Sequence, residues 1–479
     1  MLKKFILIAV YLILSFSIHA QDFGFGFGFS DDEDSGYSVF SGAGFSAGGS
    51  VVISGEVSAA IVGYFNEMAE GAEHINTRDM FLFSGKLNFL VQSQLAKAVI
   101  NLKLVPALVP VSIDEAYIGV FYGGFDLSAG LKKVAWGKAD QFGPLDILNM
   151  PDASRMFIEM ADNSNLMGVK LANPMIHATY RFGQHSKIEG IFLPSFEIVS
   201  MAVSSMFSGS NEMLALVSGP ISNKWLPSDM KNLLLMYPKK SDGSINYEGI
   251  FIPVDTSGLD YTQAGLRFTT TIGSVDLGMQ YFYGRMIQPV VKPDIDGSGE
   301  LSINLYFNKY HQIGFDYAQV LAGFNVRAEV AANITEDLKG DDGLIYNPSI
   351  GWSLGFDRDL VAGINLNFQA NGTVRLFNNN VGVTDFSAGH FDIESGSSLT
   401  ATRITAMLSK KFLRDELELR TAVVWGIEDR DAAVIPALIW TRDDFRAAFS
   451  GGFFLGNKEG QLGQYKDNNF LKISITYVF

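Results

Sequence analysis

Single-residue alternation of apolar and polar side chains is the feature of this sequence that most restricts its fold. In the last ten residues, 470–479, the apolar parity carries Leu471, Ile473, Ile475, Tyr477 and Phe479. The polar parity of the same stretch carries Lys472, Ser474 and Thr476. Successive side chains of a β-strand point to opposite faces, so this stretch predicts a strand with one apolar and one polar face. The same alternation recurs at 81–92, 263–272, 324–334, 360–375 and 417–425.

Many strands of about ten residues with this alternation predict an all-β protein, a transmembrane antiparallel β-barrel with apolar side chains on the lipid side and polar side chains inside. A water-soluble β-sandwich would show the same alternation, but it rarely uses so many long strands. The sequence therefore favours a barrel, and we expect it to occupy residues 50–479.

Short links alternate with long ones along the chain, as in barrels that have short periplasmic turns and long outer loops. The short links are predicted at 94–96, 123–124, 183–185, 272–274, 322–323, 358–359, 413–415 and 443–444. The long links are predicted at 66–79, 136–164, 196–258, 290–300, 335–345, 376–397 and 458–467. Strands threaded through these links number about eighteen, with sixteen as the alternative, and such a barrel has a water-filled lumen. The longest link, 196–258, is predicted either to fold into the lumen or to form a surface flap.

The N-terminus reads as an export signal. Met1-Leu2-Lys3-Lys4 is followed by an apolar run to Ile18 and then by His19-Ala20, which predicts a signal peptide over residues 1–20 that is cleaved near Ala20. A transmembrane anchor is the weaker alternative, because the apolar run is shorter than the roughly 20 residues that cross a bilayer. Residues 21–49, which alternate Phe and Gly and then carry four acids, are predicted to be a flexible linker or a partial plug of the lumen.

Composition excludes several classes of site. The 479 residues include no Cys, which excludes disulfides, zinc-thiolate sites, a cysteine nucleophile and a lipoprotein anchor. The net charge of −15 disfavours nucleic acid as a partner. The aromatic content of 13% is enough to exclude disorder for most of the chain.

The polar parity carries more basic than acidic side chains, although the whole chain is acidic. The pore-lining candidates are Lys86, Lys103, Lys132, Arg181, Arg267, Arg327, Glu329, Asp316, Arg375, Arg403 and Arg420, with Lys97, Arg446 and Lys472 as further inward bases. Because charged side chains lining a pore bias which ions pass, we expect a mild preference for anions. The alternative is that Arg327, Glu329 and Asp316 pair across neighbouring strands and only make the wall rigid.

Two local motifs carry a resemblance to known proteins. A predicted strand ends in Val134-Ala-Trp136-Gly137-Lys and leads to Leu148-Asn149-Met150-Pro151-Asp152. This segment resembles an uncharacterised family of porin-like outer-membrane proteins, in which a strand ends in Trp-Gly before a loop that contains Leu-Asn-Pro; here Met150 separates Asn149 from Pro151. More distantly the arrangement is similar to phosphate-selective and alginate-export porins. The resemblance covers about residues 110–335 and implies a channel-like barrel without a named substrate.

The C-terminal residue carries a second resemblance. An aromatic residue at the end of the last strand, here Phe479, is similar to the signal that outer-membrane barrels present to their assembly machinery. The expected location is the bacterial outer membrane, and the expected partners are the lipid bilayer, that machinery and small solutes.

No catalytic motif was found, and no metal or cofactor is predicted. The nearest approach to a catalytic set is His390 with Asp385 and Asp392, which is a single His in an acidic loop. The sequence favours a porin-like channel through which small hydrophilic solutes diffuse. The alternatives are a surface adhesin or antigen with a plugged lumen and a dedicated transporter of hydrophobic compounds.

Overall fold

A computed structural model of the chain shows a closed antiparallel β-barrel of eighteen strands. It describes residues 50–64, 81–105, 109–141, 143–149, 161, 166–195, 251–252, 258–286, 290–295, 301–383, 392–457, 460, 462–463, 466 and 469–479. The predicted signal peptide and linker, residues 1–49, lie outside this part of the chain, as do Pro151 and Asp152. In the described part, no helix is long and apolar enough to cross a membrane.

Each barrel strand pairs with the next along the chain, and the last pairs with the first. The barrel strands are β1 (Ser50–Tyr64), β2 (Phe81–Gln92), β3 (Ala96–Val105), β4 (Val109–Tyr122), β5 (Phe125–Lys132), β6 (Asn173–Phe182), β7 (Ser186–Leu193), β9 (Gln263–Ile272), β10 (Val275–Arg285), β13 (Lys309–Leu321), β14 (Phe324–Thr335), β15 (Ser349–Asp359), β16 (Ile364–Arg375), β17 (Thr400–Phe412), β18 (Leu417–Gly426), β19 (Asp431–Arg442), β20 (Phe445–Gly456) and β21 (Phe470–Val478). Three short strands form a separate sheet: β8 (Phe251–Ile252), β11 (Val290–Ile295) and β12 (Leu301–Tyr306).

Closure of the barrel is made by β1 and β21. Their register runs from Glu56 opposite Val478 to Tyr64 opposite Phe470. Two backbone hydrogen bonds between Gly55 and Phe479, at 2.7 and 2.9 Å, extend this ladder to the C-terminus. A closed barrel satisfies the hydrogen-bonding groups that edge strands would leave unpaired. The prediction of about eighteen strands is confirmed.

The two faces of the barrel differ as the alternation predicted. In β9, Leu266 on the outer face is 56% exposed, whereas its neighbour Arg267 on the inner face is 3% exposed. Exposed apolar side chains on the outer face occur around the barrel and include Phe83, Ile118, Ile188, Phe315, Leu354, Trp425 and Ile473. Buried polar side chains on the inner face include His177, Gln280, Gln312, Asn333, Gln369, Arg403 and Lys472.

The connections differ between the two ends of the barrel. All connections at one end are short, and they include 123–124, 273–274 and 443–444. The opposite end carries the long connections. The turn predicted at Arg358-Asp359 was placed too early, because β15 continues through Asp359 and the turn lies at 360–363, where Ala362 has a φ of 63°.

The connection between β5 and β6 enters the barrel with residues 133–141 and 143–149, and we call its described residues, 133–141, 143–149, 161 and 166–172, the inserted segment. The sequence predicted a long link at 136–164, and a long connection is present, because β5 ends at Lys132 and β6 begins at Asn173. Its described residues from Trp136 to Asn149 do not lie outside as an outer loop but contact inner-face side chains of β10 and β13 to β16. The link 196–258 is predicted either to fold into the lumen or to form a surface flap. Nearly all of its residues lie outside the described part of the chain.

Candidate functional site

The base of the inserted segment is tied together by Asn149. Its Oδ1 accepts the backbone N–H of Val134 at 2.7 Å. Its Nδ2 donates to the carbonyl oxygens of Lys132, at 3.1 Å, and Leu171, at 2.8 Å. One amide side chain therefore joins the outgoing and returning parts of the segment, which requires both a donor and an acceptor at this position. This is the structural role of Asn149 in the motif identified from the sequence.

Above this base, Trp136 lies in an apolar cluster inside the barrel. It is 3% exposed, and a Cβ on Gly265 in β9 would lie 2.7 Å from its ring. The other cluster members are Val134, Leu148, Met175, Ile191, Leu193, Phe282, Met286 and Tyr310. These side chains come from the segment and from the inner faces of β6, β7, β10 and β13, so the cluster fixes the segment to one side of the lumen.

The next turn of the segment wraps around the carboxylate of Glu329 on β14. Oε1 of Glu329 accepts the backbone N–H groups of Lys138 and, at 2.7 Å, Ala139. Gly137 makes this approach possible, because its φ is 103° and a Cβ there would overlap Glu329 Oε1. A Cβ on Gly143 would overlap Oε2 of the same carboxylate. The Trp-Gly motif thus combines an apolar anchor with a residue that lets a wall carboxylate reach the backbone.

A row of side-chain amides on the wall receives the tip of the segment. Gln280 on β10 donates to the carbonyl oxygen of Leu145 at 3.1 Å, and Gln312 on β13 donates to that of Pro144 at 3.0 Å. Gln280 also donates to Gln312 at 2.9 Å, and Gln312 donates to Asn333 at 3.0 Å. The carbonyl groups of a turn without regular secondary structure therefore have partners although they are inside the barrel.

An acidic side chain of the inserted segment also forms an ion pair with the wall. Asp140 forms an ion pair with Arg327, which pairs at 2.6 Å with Asp357 on the adjacent strand β15. Asn367 donates to Asp140 at 3.0 Å. Beside this group, the backbone N–H of Gln141 donates to Gln369 Oε1 at 3.1 Å. Arg327 thus joins a cross-strand pair, as considered from the sequence, and also holds the segment.

Among the ion pairs of the described residues, Arg267 and Asp316 form the most enclosed one on the inner wall. Arg267 Nη2 lies 2.6 Å from Asp316 Oδ2, and the side chains are 3% and 0% exposed. Arg267 Nη1 also donates to Gln280 Oε1 at 2.7 Å. The strand of Gln280, β10, lies between β9 and β13, so this bridge spans three strands.

The basic residues predicted from the sequence lie on the inner face, and most of them have an acidic partner. The pairs and their N–O distances are Lys86–Glu56 (2.6 Å), Lys103–Asp114 (2.9 Å), Arg181–Asp126 (3.9 Å), Arg375–Glu394 (3.4 Å), Arg403–Asp429 (3.5 Å) and Arg420–Glu418 (4.0 Å). Burial raises the pKa of Glu394 above its ordinary value, although the Asn347 N–H and Arg375 oppose this. Lys132 differs, because its ammonium group contacts Ser128 and His177.

Sequence reasoning missed the amides and Asp140 as the groups that position the segment. The alternating pattern places Gln280, Gln312 and Gln369 on the inner parity, so the signal for an amide-lined wall was available. The sequence gives no signal for which segment those amides contact, because the partners are far apart in the chain. Gln369 and Gln141, for example, are separated by 228 residues. No group of three or more His, Asp or Glu side chains suited to a metal ion occurs in the described part of the chain.

No protein-family model and no curated protein matches the sequence. Among solved structures, the chain is similar to OmpT, an outer membrane protein of Vibrio cholerae, with a TM-score of 0.39 at 7% identity over 90% of this chain and 98% of that one. For a triple mutant of the Rhodopseudomonas blastica porin, the TM-score is 0.37 at 10% identity, over 90% of this chain and 100% of that one. For Wzi, a carbohydrate-binding β-barrel of the Escherichia coli outer membrane, the TM-score is 0.43 at 10% identity, over 89% of this chain and 84% of that one. The fold assignment rests on the strand pairing of the chain itself.

Proposed function

We propose that this protein is a porin-like channel of the bacterial outer membrane through which small hydrophilic solutes diffuse. The observation that carries this proposal is the two-sided closed barrel, with Leu266 and its equivalents exposed outside and Arg267 and its equivalents enclosed inside. An apolar outer face is stable against lipid hydrocarbon, and a polar inner face is stable against water. We propose that export through the signal peptide and recognition of the strand that ends in Phe479 bring the chain to this membrane.

In this function the inserted segment is the constriction of the channel. Its tip is fastened to the wall from β10 to β16 by Glu329, Gln280, Gln312 and Arg327, so it narrows the lumen from one side. A constriction that is held by several strands keeps a fixed width, because the wall and the segment share one hydrogen-bond network. Solute size is then limited by the opening between this segment and the opposite wall.

We propose a mild anion preference for the channel. Most inner bases are neutralised by neighbouring carboxylates, as the 2.6 Å pair of Lys86 and Glu56 illustrates. The selectivity is then set by the few bases that have no such partner among the described residues. Reversal potentials across a planar bilayer under a KCl gradient test this point. A cation-selective reversal potential would contradict it.

Flux of uncharged sugars tests the channel itself. Purified full-length protein is refolded into lipid vesicles, and swelling is followed in isotonic solutions of sugars of increasing size. We expect fast swelling with small sugars and a sharp decrease above one size. A folded barrel that admits no sugar of any size would contradict the proposal and favour an adhesin with a plugged lumen.

One observation favours a second candidate, a transporter of hydrophobic compounds. Part of the inner face from β18 to β20 is apolar, and it includes Val424, Ala433, Ile435, Ile439 and Ala448. Such a surface is unusual in a lumen that holds only water. Deletion of the gene followed by growth on defined carbon sources separates the two candidates, because loss of growth on an apolar compound alone would favour the transporter.

A further inference from the structure

Two lysines on the inner wall face the same aromatic ring. Lys97 on β3 and Lys132 on β5 place their Nζ atoms 5.7 and 5.1 Å from the centroid of Tyr117 on β4. Lys97 also lies 5.5 Å from the ring centroid of Phe121. Contacts of this length are within the range in which a ring face attracts an ammonium group. The Tyr117 ring therefore has a positive charge within 6 Å of its centroid from each of the two adjacent strands.

In the described part of the chain, these two lysines lack the close carboxylate partner that most of the predicted inner bases have. Within the described residues, no Asp or Glu oxygen lies within 4.0 Å of either Nζ atom, whereas Lys86 on strand β2 is 2.6 Å from Glu56. Two like charges held close together without a neutralising group create a local positive potential that attracts an anion.

The carboxylates that surround Lys132 at longer range are already engaged. Their partners are Asn101 and the backbone N–H of Lys133 for Glu115, Arg181 for Asp126, and Lys187 and His177 for Glu189. Each of these carboxylates is thus partly neutralised by another donor. The positive potential at Tyr117 is reduced by these groups but is not cancelled by a direct contact.

The Lys132 ammonium group is held in a fixed direction. It donates to Ser128 Oγ at 3.0 Å and lies 3.1 Å from Nδ1 of His177. When Nδ1 is the acceptor, Nε2 of His177 carries the proton and donates toward Glu189 Oε1 at 3.3 Å. An ammonium group has three donors, and the described residues provide a hydrogen-bond partner for two of them.

We propose that Lys97, Lys132 and Tyr117 form a subsite in the lumen for a small oxyanion of the sulfate class. The anion would accept a charge-assisted hydrogen bond from the remaining donor of Lys132 and lie beside the charge of Lys97. This inference rests on the proposed channel function, because the subsite lies on the wall that a diffusing solute passes. It names the residues that supply the anion preference.

The test uses the full-length protein and inorganic sulfate. Chloride conductance in planar bilayers is measured while sulfate is added, for wild type, K97Q/K132Q and the control K86Q, whose lysine is already neutralised by Glu56. We expect sulfate to reduce the chloride current in wild type and in K86Q, and to be about tenfold less effective on K97Q/K132Q, because the charge-assisted contact is lost. The variant K97R/K132R should retain most of the effect. Equal sulfate sensitivity in K97Q/K132Q and wild type would overturn the subsite.

Calorimetric titration of sulfate into detergent-folded protein gives a readout that does not depend on conduction. Saturable sulfate binding that is weakened by K97Q/K132Q and unchanged by K86Q supports the subsite. If such binding is found but no current is seen, the channel is rejected and the subsite is retained. Current without saturable binding or sulfate sensitivity would keep the channel and reject the site. Heat-modifiable migration on gels shows whether each variant has folded.

Discussion

The carboxylate of Glu329 accepts the backbone N–H of Ala139 at 2.7 Å, although the two residues are 190 positions apart in the chain. The same Oε1 atom accepts the N–H of Lys138. One wall side chain therefore holds a turn of the inserted segment that has no regular secondary structure of its own. This contact makes the width of the proposed channel depend on a residue of β14.

Substitution of Glu329 by Gln should widen the channel or make its current noisier. The amide oxygen of Gln can take the place of Oε1, so its nitrogen takes the place of Oε2 and faces the backbone N–H of Leu145, which lies 3.4 Å from Oε2. An N–H that loses its acceptor costs about 1–3 kcal/mol. The measurement is single-channel conductance in planar bilayers. The matched control is Glu56→Gln, on the inner face of β1, because the partner of Glu56 is Lys86. An unchanged current in Glu329→Gln would show that this contact does not set the width.

The Trp-Gly motif gives a prediction about stability. Gly137→Ala should lower the free energy of unfolding more than Gly183→Ala does, although both glycines have positive φ, at 103° and 64°. A Cβ at position 137 would overlap Glu329, whereas at 183 it would meet nothing within 4 Å. We expect about 1 kcal/mol for the control from its left-handed backbone and roughly 1–3 kcal/mol more at position 137 from the added crowding. Urea unfolding of vesicle-refolded protein measures both, and equal losses would contradict the packing.

The buried pair of Arg267 and Asp316 predicts strong coupling. Arg267→Met should cost about 3–5 kcal/mol, because it leaves the Asp316 carboxylate enclosed without its charge partner. The double variant Arg267→Met/Asp316→Leu should recover much of this loss, because the second change removes the unpaired charge. A double-mutant cycle by urea unfolding gives the coupling energy. A double variant as unstable as the sum of the single variants would argue against a direct pair.

Much of the wall could be predicted from the sequence, and the reason is geometric. Alternation places Leu266 and Arg267 on opposite faces whatever the neighbouring strands are, because the period of a strand is two. Short links between alternating stretches predict which strands are neighbours, so closure into eighteen strands followed. The turn after β15 was misplaced because Arg358 and Asp359 have turn-like composition but still pair with Leu366 and Asn365.

The course of the inserted segment could not be predicted from local pattern. Its partners on the wall, such as Glu329 and Gln369, are about two hundred residues away in sequence, and a polar side chain on the inner parity is the same signal whether it meets water or backbone. Gly137 and Asn149 were recognised only as parts of a motif. Their roles depend on a φ of 103° and on three simultaneous hydrogen bonds, which only the folded chain shows.

Because the two faces of β9 meet different surroundings, a lysine substitution should lower stability more on the outer face than on the inner face. Leu266→Lys on the outer face should cost about 2–4 kcal/mol of stability in lipid, as a cation near the bilayer midplane does. Thr269→Lys on the inner face should cost much less, because its ammonium group reaches the lumen. Unfolding of the two variants in lipid vesicles compares them directly. A larger loss at Thr269 would mean that the inner face, and not the outer one, meets lipid.

Single-channel conductance of the purified full-length protein in a planar lipid bilayer tests the central claim most directly. Folding of the inserted sample is established in parallel by heat-modifiable migration on a gel. An open channel predicts discrete current steps of uniform size that increase with KCl concentration, because ions cross a water-filled lumen. A correctly folded barrel that enters the bilayer and gives no steps at any salt concentration would contradict it.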